Sequence, residues 1–395
     1  MDTEGTEKQL QRLKLKIKKY LELENVSVLV GAGGSFHLGA PIIRTIPDDL
    51  RTQLVESIKK YFGENPDYDN ISYEDLFNCL QADYFLNEKK GNDNTLVQND
   101  ITKMKKWLYE HCNTESCKIH ESYKSDSKLQ NNKYHYHEVL IKKLLQRPNN
   151  LRRVNLFTTN YDMALDYALD NLGVHYINGF IGVHNRCFRP EVYDYDIYYP
   201  GQSVSGKVHR AEKVMRYFKI HGSLSWIETE STPSNTYGIK EIAVSNYFDE
   251  TQHKLMIYPC VSKKTYTLDF PYSELFRHFA QAITQPQSVL FCIGYSFNDE
   301  HINDIIYQAL TIPSFTLIIA NYAPTDDANS PINKLLALGD KRIIVLEQRD
   351  VTQSTFTGFV KNVLPDLYEE EEMQLIAKTM NTIYSSTEQD IDGTK

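Results

Sequence analysis

Three groups of residues in this sequence have types and spacings that could do chemistry, and each directly follows an apolar run. Gly31, Ala32 and Gly33 end the run from Asn25 to Val30, with Ser35 two residues on. Glycine lacks a Cβ, so backbone N–H groups at such a turn can come close to a pyrophosphate, and a helix starting there adds partial positive charge. A strand-to-helix turn that merely needs glycine is the plainer reading. Position 36 is Phe where a dehydrogenase fingerprint has Gly or Ala, and no Gly-Lys-Ser/Thr follows as in a phosphate loop. The second group is Thr158, Thr159, Asn160, Tyr161 and Asp162. The Asn160 amide can hold a sugar or an attacking water, or simply cap a strand end, and Asp162 can accept the hydrogen bonds that fix the loop. The third group is His221 with Gly222. An imidazole with an ordinary pKa near 6.5 can take a proton from a sugar hydroxyl or from water near neutral pH, which makes His221 the choice of general base. His37, inside the glycine loop, is the one other histidine with the context of a ligand contact.

Read at full length, the stretch from Gly31 through Gly39 and Pro41 to Arg44 resembles the sirtuin signature, in which GAG-x-S is followed by G-x-P and an arginine. The Thr158 to Asp162 block resembles that family's TxNxD block, and His221 with Gly222 resembles its His-Gly pair. Gly294, Tyr295, Ser296, Phe297, Asn298 and Asp299, then Ala320 and Asn321, fall where sirtuins close the nucleotide pocket. The resemblance runs from about Val26 to Tyr322. It implies NAD+ as substrate, Asn160 and His221 at the reaction centre, and Gly31, Ala32, Gly33, Ser35, Arg44, Thr159, Asp162, Gly294, Ser296 and Asn321 around the dinucleotide. Arg44 also fits a surface salt bridge, and Asp299 fits a helix cap.

Deacylase sirtuins carry two CxxC pairs after the His-Gly block, and this sequence has none, so the resemblance implies no zinc ribbon and water as the acceptor. With its two long insertions, the chain is similar to the sirtuin-like NADases of bacterial antiphage defence, and most similar to the subunit paired with a HerA-type ATPase. That implies hydrolysis of NAD+ to nicotinamide and ADP-ribose, a higher-order homo-oligomer and control by the ATPase. The alternatives are a protein deacylase or ADP-ribosyltransferase, and a non-catalytic sensor of NAD or ADP-ribose.

The elements that must position these residues follow from periodicity. Leu10, Leu13, Ile17, Tyr20 and Leu21 make one stripe between residues 7 and 23, the pattern of an amphipathic helix. Buried strands are expected at Asn25 to Val30, Arg153 to Thr158, Tyr217 to His221, Leu255 to Pro259, Ser288 to Gly294, Phe315 to Asn321 and Arg342 to Glu347. Helices are expected at Met163 to Leu172, Tyr272 to Ile283, Asp299 to Leu310 and Pro331 to Leu338. Such alternation predicts an α/β fold, a Rossmann-like parallel sheet with helices on both faces and a helical insertion as a small lobe. Residues 1–24 read as the N-terminal helix and 25–350 as the catalytic domain, with insertions at about 81–150 and 183–211. The first insertion reads as the helical lobe and the second as a long loop. Residues 351–395 read as a helical tail with a frayed end.

The composition sets bounds on this reading. The 395 residues are 41% hydrophobic and 12% aromatic, enough for a full core. A net charge of -9 gives no global field for a phosphate backbone, so direct nucleic-acid binding is not expected. No apolar run approaches the ~20 residues that cross a bilayer. The N-terminus lacks a secretory pattern, which leaves the cytoplasm as the expected compartment. The six cysteines read as free thiols. No metal is expected, since Cys112 and Cys117 with His135 and His137 match no common ligand spacing.

Overall fold

The computed structural model describes residues 3–43, 45–201, 208–252, 254–256, 270–322, 327–347 and 354–368. Its strands are β1 Asn25–Val30, β2 Asn155–Thr158, β3 His175–Ile177, β4 Phe180–Ile181, β5 Arg186–Phe188, β6 Tyr198–Pro200, β7 Val208–Arg210, β8 Val214–Lys219, β9 Gly222–Glu228, β10 Ile239–Glu241, β11 Lys254–Met256, β12 Ser288–Ile293, β13 Thr316–Asn321 and β14 Ile343–Glu347. Seven of them form one sheet in the order β14-β13-β12-β1-β2-β8-β3, and every pairing in it is parallel. The α/β expectation is met, and the central strands are buried on both faces, as parallel sheets require.

Side chains alternate between two cores along each strand. Val26, Val28, Val30, Phe291, Ile293, Met215 and Tyr217 point to one face. There they meet Ile17 and Leu21 of the N-terminal helix Thr3–Leu21, the helices His135–Leu145 and Ala164–Asn171, and Phe359, Val360 and Val363. Leu29, Leu290, Cys292, Phe157 and Phe218 point to the other, under the helices Tyr272–Ile283 and Glu300–Leu310. Burying an Ile, Leu or Phe side chain stabilises by about 1.5–3 kcal/mol, so the two layers clamp the sheet between them.

The insertions divide differently from the polarity pattern. Position 81 falls within the helix Tyr73–Lys90, and the lobe core already includes Leu50, Leu54 and Ile58. The helix His135–Leu145, expected in the lobe, packs on the sheet through Leu140, Ile141 and Leu144. Among the described residues of 183–211 there are three short strands where a loop was expected. One of them, β5, belongs to a second sheet of order β11-β9-β10-β5-β4, whose pairings are all antiparallel. Of the expected tail, Phe356 to Leu367 pack into the main core, and residues from 369 on lie outside the described ones, as do 257–259 of the strand expected to end at Pro259. Among the described residues, no helix is long and apolar enough to cross a membrane.

Candidate functional site

The parallel sheet places all its carboxyl ends along one edge. Register puts Ala320, Ile293, Val30, Thr158 and Lys219 in one row across five adjacent strands. The residues immediately beyond are Asn321, Gly294, Gly31, Thr159 and Ile220, and five strand ends at about 4.8 Å spacing span roughly 19 Å. From β1 the chain builds β2, β8 and β3 on one side and only then β12, β13 and β14 on the other. The switch point of the sheet is therefore the β1–β12 boundary, where open α/β sheets bind ligands.

At that boundary two backbones cross in contact. Gly31 N–H donates to the Ile293 carbonyl at 3.0 Å, and Gly33 N–H donates to the Gly294 carbonyl at 2.9 Å. A Cβ at Gly31 would sit 2.6 Å from the Gly294 oxygen, and one at Gly294 would sit 2.6 Å from the Gly34 nitrogen. The glycines are required by this close approach, and the Gly31 and Gly33 amides expected to face a phosphate are committed to the neighbouring strand end. Two three-residue 3-10 turns follow, Ala32–Gly34 and Phe36–Leu38, instead of a long helix. Gly294 also has φ +65°. Gly294→Ala is therefore expected to lower stability by about 1–3 kcal/mol from the left-handed backbone alone, with the Gly34 overlap added. A urea midpoint equal to that of the parent chain would show that the crossing yields.

Asn160 and His221 each stand two residues beyond a paired residue, Thr158 on β2 and Lys219 on β8. The Asn160 amide donates to the Ser35 hydroxyl at 3.1 Å, and that hydroxyl bonds in turn to Asp162. Thr158 Oγ1 donates to the Val30 carbonyl at 2.8 Å and accepts from Asn160 N–H at 3.0 Å. Thr159 N–H donates to Val30 as well, at 3.1 Å. The glycine loop and the Asn160 loop are thus one hydrogen-bonded unit, in which Ser35, expected beside a phosphate, orients Asn160. Burial pushes the Asp162 carboxyl up, against the pull of Lys219, Ala164 N–H and the Ser35 hydroxyl. Beneath the loop, the buried Lys219 ammonium donates to the Asp162 carbonyl and to Asp166.

His221 lies in the turn where the chain leaves the parallel sheet for the antiparallel one, with Gly222 at φ +86° making that turn. Its ring is 4% exposed, and its Nε2 is 3.1 Å from Nε2 of His301, which is 9% exposed. Asp299 joins them: one donor atom from each of the three lies within 4.8 Å of the others. His301 escaped the sequence reading, although it stands two residues after Asp299, at the start of the helix that follows a strand-end loop. Asp299 holds the N-cap position of that helix, but its side chain makes no capping bond there.

The remaining expected residues fall as follows. Ala32 and Ser296 are exposed beside the crossing, Asn321 is buried at the end of β13, and Arg44 lies outside the described residues. Next to Ser296, the buried Phe297 has φ +59°, held by Asn303 Nδ2 donating to its carbonyl at 2.7 Å. His37 is no ligand contact: it is 1% exposed, stacked 5.2 Å from His137 and 5.6 Å from Phe356. Among the described residues, Cys112, Cys117, His135 and His137 form no ligand group.

Burial lowers the His37 pKa to about 3, so its ring is neutral in the native protein and titrates near 6.5 once unfolded. Between those values only the unfolded chain binds the proton. Stability is therefore full above pH 6.5 and falls by about 1.4 kcal/mol per pH unit below it on this account. The expected result for His37→Phe is a correspondingly shallower acid slope in urea unfolding between pH 6.5 and 4.5; an unchanged slope would assign it to other groups.

Residues 154–337 match the family model described as a SIR2-like domain. That span takes in Asn160, His221, Gly294, Asp299, His301 and Asn321, and begins after the glycine loop. Comparison with the curated proteins finds no match. Among solved structures, the chain is similar at 12% identity to one described as a complex of a Sir2 homolog with NAD, covering 91% of this chain and 95% of that one, with a TM-score of 0.37. It is similar, also at 12% identity, to a triple-mutant Sir2 homologue with 2'-O-acetyl ADP ribose, covering 90% and 99%, with a TM-score of 0.41.

Proposed function

We propose that this chain is an NAD+ glycohydrolase, cleaving NAD+ to nicotinamide and ADP-ribose. The observation that carries the reading is the row of strand ends: Asn160 and His221 stand two residues beyond adjoining strands, and Asn160 is bonded through Ser35 to the glycine loop at the switch point. The SIR2-like match over 154–337 supports the dinucleotide as the ligand class.

In this reading Gly31, Ala32, Gly33, Thr159, Asp162, Gly294, Ser296 and Asn321 line the dinucleotide's path along the sheet edge, and the resemblance adds Arg44 to the dinucleotide-binding residues. The Asn160 amide holds the nicotinamide ribose or the attacking water, and His221 takes the proton. The bond between the nicotinamide nitrogen and C1′ breaks with its electron pair going to the ring, which leaves neutral and needs no general acid. The water oxygen bonds to C1′, completing a hydrolysis through an oxocarbenium-like transition state. The resemblance extends the reading to a cytoplasmic NAD-depleting effector of antiphage defence, assembled as a homo-oligomer and controlled by a HerA-type ATPase.

The test is to incubate the full chain with NAD+, with and without a HerA-type ATPase, and separate the products by chromatography. Equimolar nicotinamide and ADP-ribose are expected. Binding without turnover in either condition makes the chain a sensor. Consumption of an acyl-lysine peptide with O-acyl-ADP-ribose formed makes it a deacylase.

A further inference from the structure

We infer that His221, Asp299 and His301 form a binding site for one borderline divalent cation of the zinc type. Three donors from two separate elements converge: His221 comes from the turn after β8, and Asp299 and His301 from the start of the helix Glu300–Leu310. The two imidazole Nε2 atoms face each other at 3.1 Å in a buried position.

Zinc–nitrogen bonds of about 2.0–2.1 Å at a tetrahedral angle put two nitrogens roughly 3.3 Å apart. The rings therefore need to open by only a few tenths of an ångström to accept the ion. The carboxylate closes from its present position, within 4.8 Å of both nitrogens, by rotating a half-buried side chain at a helix start. Its negative charge also offsets the positive helix end, which would otherwise oppose a cation. Two imidazoles and one carboxylate suit Zn2+, and also Co2+ or Ni2+, whereas magnesium and calcium sites are built from oxygen. Three protein ligands leave a fourth position for water or another ligand.

Occupancy has a functional consequence, and this part rests on the NAD+ hydrolase reading. A cation on the His221 Nε2 takes the lone pair a general base needs, so the bound ion switches off proton transfer. Activity and metal binding then exclude each other at one imidazole, and relief by chelation follows.

The experiment uses the metal-stripped full chain, titrated with zinc chloride by calorimetry and with cobalt chloride by visible absorption. The expected result is one zinc per chain and the d–d bands of tetrahedral cobalt, with affinity reduced at least ~10-fold in both His301→Gln and Asp299→Asn. Circular dichroism melts confirm that both variants are folded. No zinc uptake by the parent chain, or uptake unchanged in His301→Gln, overturns the site and assigns any binding to surface histidines and thiols. Nicotinamide release is measured separately on stripped protein. A chain that binds zinc but, stripped, leaves NAD+ intact both with and without the ATPase keeps the site and loses the hydrolase reading, and one that hydrolyses NAD+ but ignores zinc does the reverse.

Discussion

Replacing His221 with alanine is expected to slow nicotinamide release from NAD+ by at least ~100-fold, the lower end of what a positioned general base contributes. The effect should fall on kcat, with NAD+ binding by calorimetry changed far less, because in the hydrolase reading the ring takes a proton and does not hold the dinucleotide. Its placement is stiff. Ile220 N–H donates to the Thr158 carbonyl at 2.9 Å, and Gly222 at φ +86° fixes the turn on the other side. Turnover within a few-fold of the parent chain would remove His221 from the chemistry. Asn160→Ala separates the roles further. It deletes the amide that bonds Ser35, so a fall in both kcat and binding is expected there.

The strand ends were legible for a physical reason. A strand buried on both faces must be an unbroken apolar run, as Val289 to Ile293 and Leu317 to Ala320 are, and polar residues that follow such a run lie at the edge where ligands bind. The first strand needed only its β-branched residues and the glycines after it. The reason for those glycines was not legible, because it lies in a contact between residues 31–34 and 294, far apart in sequence. The second sheet was hidden by strand length: β5 and β10 are three residues each, too short to show a period. The lobe boundary moved because polarity marks exposure: the helix Tyr73–Lys90 buries Tyr73, Leu76, Phe77 and Leu80 in its first half, while its residues from 81 on are half-buried or exposed and read as insertion. His301 was missed because its partner is 80 residues away, and a histidine in a helix carries no local signal of what it faces.

Lys219→Met should cost about 3–5 kcal/mol, the range for breaking a buried ion pair by removing one partner. Lys219 is 3% exposed, and its ammonium lies 3.0 Å from Asp166 Oδ2, a carboxylate side chain only 4% exposed. With the ammonium gone, Asp166 keeps the Tyr217 hydroxyl, donating at 2.9 Å, but no positive charge. The Asp162 carbonyl loses a donor too, and the Asp162 carboxyl loses the strongest influence holding it down against burial. For a domain whose total stability is about 5–15 kcal/mol, such a loss is a large part of the whole. The control is Lys219→Met combined with Asp166→Leu, which removes both charges and should recover most of the loss, because the penalty comes from the stranded carboxylate. Urea unfolding of the three variants decides it. If the single variant loses less than about 1 kcal/mol, water reaches Asp166 and the pair does not hold the loop. If the double variant is as weak as the single one, what matters is the Lys219 bond to the Asp162 carbonyl, which seats Asn160 above it.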